Sequence, residues 1–166
     1  MDQCSFLIWN VRGLNSRARK DNVKTLVLDI KPSLICLQET KMSTISDFDI
    51  LSILGTGYSN FVFSPAQGTR GGILVAWRDG VFTHNSHVIR EYSVSIQLQM
   101  ASGPLWWFTG VYGPHQDNLK QAFLQELSEV RAGCDGPWIL AGDFNQICRS
   151  EDKNNPCINR ALLRRF

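Results

Sequence analysis

Short apolar runs rich in β-branched and aromatic residues recur along the whole chain, each bounded by Gly, Pro, Asn, Asp or Ser. They predict strands at residues 5–9, 34–38, 60–64, 73–77, 88–91, 93–100, 105–112 and 138–142. Within 93–100 the alternation is regular. Val94, Ile96, Leu98 and Met100 fall on one side, and Ser93, Ser95, Gln97 and Gln99 on the other, so this strand should bury one face and wet the other. Two stretches adopt the helical period instead. Val23, Leu26, Val27 and Ile30 form the first stripe, with Arg19, Lys20 and Lys24 facing outward and Pro32 as the stop. Leu119, Ala122, Phe123, Leu127 and Val130 form the second, with Asp117 or Asn118 at its cap and Gly133 at its end. Strand, helix, strand, a block of strands, then helix and strand predicts α/β layers with mainly antiparallel pairing in the middle, where connections are short.

The 166 residues fit one domain. The longest strongly apolar run, 73–77, is far short of the ~20 residues a membrane span needs. Asp2 and the lack of a basic lead argue against a secretory signal. Five cysteines (Cys4, Cys36, Cys134, Cys148 and Cys157) are scattered without a CxxC spacing. They predict reduced thiols, an intracellular setting, no disulfide-linked partner and no zinc site. The net charge of +2 is unevenly spread. Arg12, Arg17, Arg19, Lys20 and Lys24 outweigh Asp21, and Arg149, Lys153, Arg160, Arg164 and Arg165 outweigh Glu151 and Asp152. Such asymmetry suits a polyanionic partner, although by itself solvated surface charge is the commoner explanation.

Several predicted strands end in polar residues that packing does not require. Residues 5–9 run into Asn10, 34–37 into Gln38, Glu39 and Thr40, 105–111 into Tyr112, and 138–141 into Gly142, Asp143, Phe144 and Asn145. A sheet fixes the position of the residues just past each strand, so strand ends are where sites are assembled. Singly, each residue has a plain alternative as a turn cap, a surface acid or an amphipathic strand residue.

Together, in order, Trp9-Asn10-Val11-Arg12-Gly13-Leu14, Leu37-Gln38-Glu39-Thr40-Lys41, Val111-Tyr112-Gly113-Pro114 and Gly142-Asp143-Phe144-Asn145 resemble the endonuclease/exonuclease/phosphatase superfamily. The form of the first two motifs, with Arg70-Gly71-Gly72 before a strand and Glu151-Asp152-Lys153 after the last motif, looks most like the endonuclease domain of plant non-LTR (LINE-type) retrotransposons. The resemblance implies an α/β fold, a two-sheet sandwich flanked by helices of the DNase I kind. It implies phosphodiester hydrolysis with Mg²⁺, or Mn²⁺ in its place. Glu39 would be the principal metal carboxylate, with Asn10 beside it in the metal or phosphate shell. Asp143 would act on the attacking water or the leaving group. Asn145 would hold a phosphate oxygen or the water, and Tyr112 would place its hydroxyl near the same phosphate. Arg12, Lys41 and Arg70 would meet flanking phosphates of a DNA substrate. The retrotransposon resemblance also implies a nuclear location and a downstream reverse transcriptase.

The same resemblance implies further strands after Asp143-Phe144-Asn145, carrying a second Asp and a catalytic His. No His follows His115. The expectation is therefore a domain of residues 1–166 lacking its C-terminal strands, with impaired nicking of DNA. A superfamily phosphatase or phosphodiesterase acting on a small molecule or RNA, and a non-catalytic remnant, are the alternatives. Trp106 and Trp107 read as core and interface, and His84, His87 and His115 as loop or strand residues without a role.

Overall fold

The computed structural model describes residues 4–68 and 71–146. The elements in chain order are β1 (Phe6–Asn10), α1 (Arg17–Ile30), β2 (Leu34–Gln38), α2 (Asp47–Leu54), β3 (Asn60–Ser64), β4 (Ile73–Trp77), β5 (Thr83–Ile89), β6 (Ser93–Gln99), β7 (Leu105–Tyr112), α3 (Lys120–Gly133) and β8 (Trp138–Asp143). They build two four-stranded sheets, β1-β2-β4-β3 and β5-β6-β7-β8. In each sheet one edge pair is parallel, β1 with β2 and β7 with β8, and the remaining pairs are antiparallel.

The strand period decides the layers. In β2, Leu34 and Cys36 face the second sheet, where Ile96, Leu98 and Phe108 meet them. The alternate residues Ile35 and Leu37 face α1 and α2, packing on Val23, Val27, Ile50 and Ile53. Both β2 and β4 are buried throughout, as expected of strands covered on both faces. On the far side α3 lays Phe123 and Leu127 against Tyr92 and Val111. The result is a two-sheet sandwich with helices on both outer faces. Among the described residues no helix is long and apolar enough to cross a membrane.

Four details differ from the sequence expectation. An additional helix, α2, comes after β2. Its sequence is apolar on nearly every side, which hides the helical period, but Ser46 and Asp49 form a reciprocal capping box at its start. Strand β5 occupies Thr83–Ile89 rather than 88–91, because pairing with β6 recruits a polar, exposed stretch. Neither Asp117 nor Asn118 caps α3. A short 3₁₀ turn, Asp117–Leu119, leads into it, and Leu119 takes the cap position without a side-chain bond. Ser93 and Ser95, expected on a wet face, are buried under α3. Their hydroxyls are satisfied there, Ser93 Oγ donating to Glu126 Oε1 at 2.6 Å and Ser95 Oγ sharing a proton with Thr109 Oγ1 at 2.9 Å.

Candidate active site

The two parallel pairs bring strand C-termini together. Asn10 lies opposite Gln38 at the end of β1 and β2, and Tyr112 lies opposite Asp143 at the end of β7 and β8. The sheets join at this end. Asn10 Nδ2 donates to Asp143 Oδ2 at 2.7 Å, across 133 residues of sequence. Asn10 Oδ1 accepts the Arg12 N–H at 3.0 Å, which fixes the amide orientation. The nitrogen of Asn10 therefore faces Asp143, and Glu39 lies near enough for Asn10 to lower its carboxyl. One carboxamide of the first sheet thus holds a carboxylate of the second.

Glu39 is gripped from several directions. Lys41 Nζ lies 3.0 Å from Glu39 Oε1. Partial burial pushes its carboxyl upward, yet hydrogen bonds from Lys41 and Asn10, the Lys41 charge and a bond from Tyr112 outweigh that, so it sits below the usual value. Tyr112 responds in the opposite sense. Burial, the nearby Glu39 charge, its bond to Glu39 and the Asp143 charge push its hydroxyl up to about 12, against a small opposing effect of Asn145. Asp143 is oriented at both oxygens, because Asn145 N–H donates to Oδ1 at 3.0 Å. Asn145 is itself held by donation from Nδ2 to the Gly113 carbonyl at 2.7 Å.

The backbone around the cluster is unusual. Arg12, Glu39, Lys41 and Asn145 all adopt positive φ, from 47° to 56°, and among the described non-glycine residues only Lys31 and Ala101 do so elsewhere. Left-handed conformations in such residues cost on the order of 1 kcal/mol or more each and persist where surrounding structure imposes them. Here Thr40 N–H and Lys41 N–H donate to the carbonyls of Gly72 and Gly71, and Leu14 N–H donates to the Thr40 carbonyl. Gly72 must be glycine at φ 91°, since a Cβ there would meet Thr40 Oγ1 at 2.2 Å. Gly113 is equally constrained: a Cβ would lie 2.2 Å from the Phe144 carbonyl oxygen.

Five predicted residues (Asn10, Glu39, Tyr112, Asp143 and Asn145) are thus brought together at one rim, with Asn10, Asp143 and Asn145 joined by hydrogen bonds. Lys41 joins it as the ion-pair partner of Glu39. Arg12 stands exposed beside it, its carbonyl bound by Arg19, and Arg70 lies outside the described residues. Gln38, expected among the polar strand ends, is instead buried and bonds back to Cys36. His115 does have a partner: its Nε2 lies 3.2 Å from the Tyr112 hydroxyl. The only sequence signal for it is its place three residues beyond Tyr112, across the tight turn at Gly113-Pro114.

The donor chemistry suits a hard divalent cation. Among the described residues no three His, Cys, Asp or Glu side chains converge on one point. Two carboxylates with carboxamide oxygens match Mg²⁺, which keeps several waters and takes only one or two carboxylates. Glu39 and Asp143 would hold it; Asn10, expected in the metal shell, instead turns its nitrogen to Asp143 and its oxygen to the Arg12 N–H, so it orients an acid.

Comparison with known proteins agrees with this fold. The model of the Endonuclease/Exonuclease/phosphatase family matches residues 7–165. An AP endonuclease from Archaeoglobus fulgidus superposes with a TM-score of 0.70 at 20% identity, over 98% of this chain and 68% of its own. The AP endonuclease LMAP from Leishmania major gives 0.68 at 20% identity, over 92% and 58%. TDP2 from D. rerio, complexed with a single-strand DNA product, gives 0.66 at 18% identity, over 91% and 64%. The chain spans between about half and two thirds of the length of such structures. Among curated protein sequences none matches it.

Proposed function

The chain belongs to the endonuclease/exonuclease/phosphatase family, and from that premise we propose that its strand-end cluster cleaves phosphodiesters of DNA with a divalent metal, Mg²⁺ or Mn²⁺. The observation that carries the reading is the bond from Asn10 to Asp143, which joins the two sheets beside Glu39. It brings acids of both sheets to one rim, where a phosphate and its attacking water need positioned acceptors and donors.

The metal, when bound, supplies Lewis acidity at the scissile phosphate. Glu39 and Asp143 would hold it, and Asp143, oriented by Asn10 and Asn145, is placed to take the proton of the attacking water. The Tyr112 hydroxyl, kept protonated by burial and its acidic neighbours, donates to a non-bridging oxygen whose charge grows in the transition state. Water adds to phosphorus as Asp143 takes its proton, the P–O3′ bond breaks, the leaving 3′-oxygen takes a proton from solvent, and a 3′-hydroxyl and a 5′-phosphate result. Arg12 and Lys41 contact flanking phosphates. Residues 1–166 act in one catalytic domain. The 3′-hydroxyl is the primer end that a retrotransposon reverse transcriptase extends, which fits the LINE-type motifs and a nuclear setting. Support comes from the family, from neighbours described as DNA-processing enzymes and from the oxygen-rich donor set.

Supercoiled plasmid incubated with Mg²⁺ tests the proposal. Nicking is expected, and Glu39→Ala or Asp143→Ala should each lower its rate by about 10²-fold or more. Nicking that survives both substitutions would overturn it.

A further inference from the structure

Strand β5 carries two histidines that a regular strand would keep apart. His84 and His87 stand three positions apart, and the two-residue strand period sends such residues to opposite faces. The pairing with β6 is irregular between them. His84 lies opposite Leu98 and Ser86 opposite Gln97, so Asn85 is an extra residue. This bulge brings His84 and His87, opposite Leu98 and Ile96, onto one face, with ring centres 5.3 Å apart. We propose that the pair is a binding site for a borderline transition-metal ion of the Zn²⁺ or Cu²⁺ kind, separate from the strand-end rim.

The spacing suits such an ion. A tetrahedral metal roughly 2 Å from each ligating nitrogen sets the centres of two imidazoles roughly 5 Å apart. Histidine χ2 is a soft torsion, so the two rings turn their nitrogens to a common point at little cost. Both side chains are exposed, and an ion reaches them from solvent. The bulge itself is held: Asn85 Nδ2 and Ser86 Oγ both donate to Gln97 Oε1 on β6, the second at 3.2 Å. A backbone fixed in advance reduces the ordering cost of closing two ligands on one ion. On its inner side the His84 ring rests against Trp77, 5.2 Å between centres, at the margin of the core between the sheets.

Donor chemistry selects the ion. Partial burial and the neighbouring His87 lower the His84 ring below the ordinary histidine value, against an opposing effect of the Ser86 backbone. At pH 7 it is therefore mostly neutral, the form that binds metal. Imidazole nitrogen suits Zn²⁺, Ni²⁺ and Cu²⁺, with Cu²⁺ the tightest, whereas Mg²⁺ prefers oxygen. The pair supplies two ligands, and water takes the other positions. Place in the fold keeps this site apart from the rim. β5 is an edge strand two strands from β7, and His84 pairs near the end of β6 remote from Ser93, which lies beside Val111 at the rim end of β7.

Long-range ¹H–¹⁵N NMR of the imidazoles tests the site, on the full chain without an affinity tag, with ZnCl₂ as the probe and millimolar Mg²⁺ present throughout. Equimolar Zn²⁺ should move the ring nitrogens of His84 and His87 together. Calorimetry should show the Zn²⁺ affinity of this step falling by about tenfold or more in His84→Asn and again in His87→Asn. Both substitutions change exposed side chains, so the amide spectra should otherwise match wild type. Glu39→Ala should leave the two histidine shifts intact. Zn²⁺ that moves neither ring or only one, or that binds either histidine variant with unchanged affinity, would overturn the proposal. Shifts abolished by Glu39→Ala would overturn it too, because they would assign the ion to the rim. The outcome for plasmid nicking bears on the nuclease reading alone.

Discussion

At Tyr112 the ordinary chemistry of a phenol is reset by its neighbours. Two carboxylates and partial burial make ionisation unfavourable, so the hydroxyl keeps its proton and remains a donor up to about pH 12. The sign for Glu39 is opposite: its carboxylate form is favoured, so it stays charged to below the usual glutamate range. Both groups are therefore in their working forms throughout the neutral region. Tyr112→Phe should lower the turnover of plasmid nicking by about 10²-fold, the usual scale for losing one transition-state donor, with little change in KM. Tyrosine Cζ NMR of the wild type should show the hydroxyl still protonated at pH 10. A Tyr112 resonance that titrates at or below pH 10 would remove the argument. The acids and carboxamides of the cluster are legible in the sequence because each is polar where an apolar strand has just ended. His115 is not, because its partner is reached by folding back over a turn, a relation that neither strand nor helix period encodes.

Among the elements, α2 shows how a helix can escape a periodicity reading. Asp47–Leu54 alternates too little to display a face, and both sides are used: Ile50, Ile53 and Leu54 enter the core while Phe48 is exposed. Its start is specified locally. Asp49 Oδ2 accepts Ser46 N–H at 3.1 Å, Ser46 Oγ accepts Asp49 N–H at 3.2 Å, and Asp49 Oδ1 accepts from Lys20 of α1 at 2.8 Å. The bond from Lys20 and those from Ser46 lower the Asp49 carboxyl from 3.8 to about 2. A carboxyl lowered on folding stabilises the fold above its unfolded value and loses that contribution as pH falls through its folded value. Asp49→Asn should therefore cost about 1 kcal/mol at neutral pH, and the difference from wild type should vanish between about pH 4 and pH 2. Urea melts across that range measure it, and a pH-independent difference would contradict the electrostatic part. Strand β5 escapes the local pattern for another reason. Its residues are nearly all exposed, so only pairing with β6, which no local pattern reveals, makes it a strand. The buried strands β2 and β4 carry their observed bounds in the sequence, because hydrophobic burial on both faces leaves its mark on every residue.

For the molecule as a whole, one topological fact organises the rest. Each sheet contributes a parallel edge pair, and the ends of β1, β2, β7 and β8 meet on one rim. Residues separated by more than a hundred positions thereby become neighbours without any helix or loop having to reach. The left-handed backbone at Glu39, Lys41 and Asn145 is imposed by the same rim, through the Gly71–Gly72 carbonyls and the bond from Asn145 to Gly113. The central claim is that this rim is a single divalent-cation and phosphodiester site. Paramagnetic Mn²⁺ titrated into the folded chain and monitored by NMR tests it without requiring turnover. Line broadening should begin together at Asn10, Glu39, Tyr112, Asp143 and Asn145, and Glu39→Ala should weaken it sharply. Broadening centred on other acidic surface, or unchanged by Glu39→Ala, would contradict the account.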